Sequence, residues 1–116
     1  MVVVRKEQFQ SFKTNEIQKF IMKSIDWIKH NEPGWYIDYI SQNDIQVFIQ
    51  EMINFANENN IHQEASIQRL IIFKIRYAYE IPLQKDLKDI LTSANLDESK
   101  RVDNFFTRLT EMFASA

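Results

Sequence analysis

Cysteine is absent from this 116-residue chain, glycine occurs once and proline twice. The lack of cysteine excludes disulfide staples and thiolate metal sites, and it fits a reducing compartment. Turns with φ > 0 draw on glycine and helix breaks on proline, so the chain has few places to reverse as a β protein does. A single glycine also cannot build the Gly-rich loops that cradle phosphates, nor the G-x-S-x-G elbow of a serine hydrolase. No apolar run approaches eighteen residues, which excludes a membrane-spanning helix. Val2-Val3-Val4 is too short for a signal-peptide core and lies before Arg5-Lys6 instead of after it, so the protein is expected to stay in the cytoplasm.

What is present is apolar and periodic. Hydrophobic residues make up 45% of the chain, with nine Phe, four Tyr and two Trp, enough for a self-sufficient core in one domain spanning residues 1–116. Apolar residues recur every three or four positions, which predicts an all-α protein, a compact bundle of about five helices. The first runs from about Lys6 to His30, with Ile17, Phe20, Ile21, Ile25 and Ile28 on one face and Phe9 and Phe12 extending the stripe. Lys13, Lys19, Lys23 and Lys29 line much of the other side. Glu32-Pro33-Gly34-Trp35 has the side-chain pattern of a type II turn, followed by a short irregular segment.

Ser41-Gln-Asn-Asp44 resembles a capping box ahead of a second helix, on which Ile45, Phe48, Ile49, Met52, Ile53 and Ala56 share a face. Asn60 is placed to end it in the left-handed conformation. The third helix, about Glu64 to Tyr79, spreads Ile67, Leu70, Ile71, Ile72, Phe73, Ile75 and Tyr77 around most of its cylinder. A helix apolar on most sides is expected at the centre of the fold, mostly buried, with Arg69, Lys74 and Arg76 reaching outward. Pro82 reads as a first-turn proline for a short fourth helix carrying Leu83, Leu87, Ile90 and Leu91. Asp97 is a good N-cap for the fifth, which carries Val102, Phe105, Phe106, Leu109 and Phe113, and the tail from Ala114 is expected to fray.

Charge is nearly balanced, with a formal net of −2, which disfavours a generic polyanion binder. Residues 41–66 nevertheless hold four acids (Asp44, Glu51, Glu58 and Glu64) and no Lys or Arg. That segment is either a solvated helix surface or a docking face for a basic partner. Trp35, Tyr36 and Tyr39 crowd a segment too short to hide all three, and such residues dominate binding hot spots. The alternative for Trp35 is a lid folded over the end of the bundle. The candidate partner-binding residues are therefore Trp35, Tyr36, Tyr39, Asp44, Glu51 and Glu58.

Catalysis finds no foothold. His30 and His62 stand in separate junctions, outside any metal-binding spacing, and His30 suits the dipole at a helix C-terminus. Asp86 with Asp89, and Asp97 with Glu98, are paired carboxylates, but they fall at helix starts or on polar faces where acid/base work has no cleft. The chain reads as a non-enzyme without metal or cofactor. Nucleic-acid binding rests on Lys100, Arg101, Asn104 and Arg108 of the last helix, where Asp97, Glu98, Asp103 and Glu111 would repel phosphates.

Taken in order, several stretches resemble the small helical proteins encoded beside type VI secretion spike-linked effectors in Gram-negative bacteria. They are the apolar opening followed by Arg5-Lys-Glu-Gln8, the break from His30 to Pro33 and the Ala56-x4-Ile61-x2-Glu64 junction. The Ile67–Phe73 helix, Ile90-Leu91 and the closing Asp97-Glu-Ser-Lys-Arg101 complete the set. Those proteins often carry Gly where this chain has Asn60, and another after the third helix, where it reads Tyr79-Glu-Ile-Pro82. The resemblance implies an accessory role: binding a cognate effector as an immunity protein, or as an adaptor that helps load it. It implies no catalytic residues. The expected partner is another protein, met by a monomer or weak dimer; the alternative is a small helical nucleic-acid-binding regulator.

Overall fold

The computed structural model describes the backbone of residues 6–114 and the side chains of residues 15–114. The apolar stripe at Phe9 and Phe12, Lys13, the opening residues of the resemblance and the last two residues of the tail lie outside those side chains. Among the described residues six helices follow one another: α1 Lys6–Asn31, α2 Pro33–Ile40, α3 Ile45–Glu58, α4 Glu64–Tyr77, α5 Lys85–Leu91 and α6 Glu98–Ala114. No strand occurs among the described residues. The all-helical reading stands, with one helix more than expected. Length predicts one domain; by its internal contacts the chain divides into two compact units, the first ending at Ile49 and the second beginning at Gln50.

The extra helix is α2, and it replaces the type II turn. Such a turn needs φ > 0 at its third residue, and Gly34 has no positive φ. Pro33 instead stands in the first turn of α2, where its missing N–H is no loss and its fixed φ already suits a helix. The Glu32 N–H closes the last turn of α1 on Ile28 O at 2.8 Å, and Tyr36 N–H returns to Glu32 O at 2.9 Å. In this first unit α1 buries Phe20, Ile21, Ser24 and Ile28, and α2 packs close to it.

The cap of α3 also differs from the sequence reading. Ser41 Oγ turns back to donate to Asp38 O at 2.7 Å, so the hydroxyl serves the end of α2. Asp44 is the capping side chain, accepting Gln46 N–H at 2.8 Å. The far end of α3 matches expectation: Asn60 has φ 60°, with Ile61 N–H bonded to Ala56 O and Asn60 N–H to Asn57 O. That pair of bonds is a Schellman motif, and the fully buried Ile61 supplies its apolar contact.

In the second unit, α4 buries Ser66, Ile67, Leu70, Ile71 and Phe73, and α6 is the helix that both α4 and α5 approach most closely. Its Val102, Phe105 and Leu109 meet the core that Leu87 and Leu91 of α5 also enter. Helix α4 ends at Tyr77 because Ala78 takes the left-handed conformation, φ 49°. Tyr79 then turns inward, its ring edge-on to Phe105 at 5.3 Å and its hydroxyl donating to Leu70 O at 2.8 Å. Pro82 does not open α5. It follows a cis peptide bond in a bend, and the helix starts three residues later, after Gln84. Asp97 caps α6 as expected, accepting Lys100 N–H at 2.8 Å.

Candidate functional site

Helix α2 has no buried residue although five of its eight side chains are large and apolar or aromatic. Four residues make slightly more than one helical turn, so Trp35 and Tyr39 share a side. They stack at 4.6 Å with 14° between planes, and both tilt against Phe48, at 5.2 and 5.4 Å. Half-buried in that cluster, Trp35 and Tyr39 pack within their own unit.

The other side of α2 is open. Ile37 is 64% exposed and Ile40 42%. The half-buried Tyr36 and the exposed Ile40 line one wall of a shallow depression completed by residues 41–45. Tyr36 and Asp44 thus meet at one surface, but the Asp44 carboxylate is already engaged as the α3 cap. Ile37 and Ile40 are the residues missed from the sequence. Their signal was available: apolar side chains at 35, 36, 37, 39 and 40 cannot all face one way once the segment is helical.

Glu51 and Glu58 belong to the second unit. Seven residues apart on α3, they occupy one stripe of the helix, both exposed, with Asn54 between them. None of the ion pairs among the described residues involves either. The fourth acid of the segment, Glu64, stands in the first turn of α4, where a carboxylate favours the helix dipole.

The basic residues of α6 are turned to internal use. Arg101 donates to three backbone carbonyls: Leu91 O at 2.8 Å, Asn60 O at 3.1 Å and Asn59 O at 3.3 Å. Arg108 bonds Asp86 at 3.1 Å and pairs with Glu111 at 3.5 Å. Asn104 is half-buried. Lys100 is exposed. On α4, Arg69 reaches across to Asp103 at 2.7 Å. Lys74 turns inward instead, donating to Tyr79 O, and burial lowers its pKa against the opposing effect of Glu80.

The carboxylate pairs are likewise engaged in structure. The Arg108 hydrogen bond holds the Asp86 carboxyl below its ordinary value, opposite to what a general acid needs. Asp89 pairs with Lys85 at 3.1 Å, Asp97 caps α6, and Glu98 accepts N–H groups from His62 and Gln63. His30 Nδ1 lies 2.8 Å from Asp26 O, and His62 Nδ1 lies 2.9 Å from Asn57 Oδ1. Among the described residues, no group of three or more His, Asp or Glu side chains is placed to hold a metal ion. No described helix is long and apolar enough to cross a membrane.

A second apolar feature lies in the second unit. A slot of about 200 Å³ is lined by Tyr77, Tyr79, Leu87, Leu109, Met112 and the 51%-exposed Phe113. Ligand cavities usually hold about 300–1,000 Å³, so this slot is of a size for one side chain. Beside it runs an aromatic seam, Phe73 on Phe106 at 4.8 Å and Tyr77 against Phe113 at 5.2 Å. No protein-family model, curated protein or solved structure matches the chain.

Proposed function

We propose that this is a non-catalytic accessory protein of the cytoplasm that binds another protein, acting as a monomer or weak dimer. The observation that carries this reading is α2, a helix rich in aromatic and aliphatic side chains with nothing buried and with Ile37 and Ile40 open to solvent. Aromatic and aliphatic anchors on a rigid helix bury large area at low entropic cost when a partner covers them. Tyr36 and the packed Trp35–Tyr39 pair would brace that surface. Separately, the exposed Glu51 and Glu58 of the second unit would favour a basic partner. The resemblance to type VI effector-associated proteins implies, as the proposed partner, a cognate secreted effector, bound as an immunity protein or a loading adaptor.

The alternative regulator would need a basic face on α6, and Arg101 and Arg108 are instead spent on carbonyls and carboxylates of the same chain. The test is affinity capture from nuclease-treated lysate of the native host, comparing the wild type with Ile37→Asp/Ile40→Asp. The expected result is one stoichiometric protein, retained by the wild type and lost by a variant whose circular dichroism is unchanged. Recovery of nucleic acid before nuclease treatment and of no protein after it would overturn the reading. Co-expression of the captured protein then separates the roles: an immunity protein restores growth, whereas an adaptor leaves toxicity in place and is required for export.

A further inference from the structure

We draw no further inference here: the strongest candidate, the apolar slot of the second unit between the end of α4, α5 and the last turns of α6, is sized for one bulky side chain, but nothing in the structure shows what covers it.

Discussion

Glu98 and Arg101, one turn apart on α6, hold helix ends of opposite polarity on the two sides of the 59–63 junction. The Glu98 carboxylate accepts the His62 and Gln63 N–H groups at the start of α4, where the dipole is positive. The Arg101 guanidinium donates to Asn59 O and Asn60 O at the end of α3 and to Leu91 O at the end of α5, where it is negative. A single turn of α6 thereby fixes three other helices. Removing the guanidinium with Arg101→Met leaves those carbonyls without their charged donor and should lower stability by about 2 kcal/mol. Glu98→Gln, which keeps one acceptor oxygen, should lower it by about 1 kcal/mol. Urea denaturation checks both, and an Arg101→Met midpoint equal to wild type would refute the clamp.

Ala78 occupies the left-handed region at φ 49°, a conformation that costs a residue bearing Cβ about 1–2 kcal/mol. Glycine removes that cost and returns part of it through the greater freedom of the unfolded chain. Ala78→Gly should therefore stabilise by about 0.5–1 kcal/mol, seen as a raised Tm. The same substitution at exposed Ala65, in the first turn of α4 and not in the left-handed region, should give no such gain.

Ser24 is 3% exposed in the middle of α1, and its Oγ has no hydrogen-bond partner among the described residues. A buried hydroxyl without a partner forfeits its hydration for nothing, and alanine is the better helix former. Ser24→Ala should raise stability by about 1 kcal/mol. A loss of stability would mean that the hydroxyl is satisfied after all.

Burial raises the Tyr79 phenol well above its ordinary pKa of 10.0. The unfolded chain releases this proton near the ordinary value while the folded chain keeps it. The Tyr79 contribution is thus fully present below about pH 10 and is lost as pH rises beyond it. Tyr79→Phe should lower stability near neutrality by about 1 kcal/mol through the lost bond to Leu70 O, yet decline less steeply in alkali. Parallel alkaline declines in the two proteins would contradict this assignment.

Trp35 and Ile37, two residues apart on α2, should separate stability from binding. Trp35→Ala removes the stack on Tyr39 and the contact with Phe48 and should cost about 2 kcal/mol. Ile37→Ser removes an exposed side chain and should change stability by less than about 0.5 kcal/mol. Thermal melts of the two variants give the comparison; equal losses would place Ile37 in the packed side of the helix.

Much of the candidate site was readable in sequence as composition, and much less as geometry. The crowding of Trp35, Tyr36 and Tyr39 marks the stretch that becomes α2. Which of them pack and which face out depended on α2 being helical, and Pro33-Gly34 fits a helix start and a type II turn equally well. The acids of residues 41–66 form a group in the sequence, but Asp44 is spent on a cap, a role that differs from a surface charge only in where the next N–H points. Arg101 and Arg108 looked like surface bases because their partners, Asn59, Asn60, Leu91 and Asp86, lie between ten and forty-two residues away.

The sequence by itself determined that this protein is helical, where four of the six described helices run and roughly where α5 does, and that Asn60 and Asp97 end and begin two of them. Those features depend on apolar periodicity and on capping side chains within a few residues of the groups they serve, so neighbours along the chain suffice. Tertiary structure decided that α2 exists with an open apolar side, that Ala78 and not a glycine reverses the chain after α4, and that the charges of α6 clamp other helices. Each of these turns on which distant group meets a side chain, because a charge, a backbone carbonyl or an apolar surface takes its role from the partner it finds.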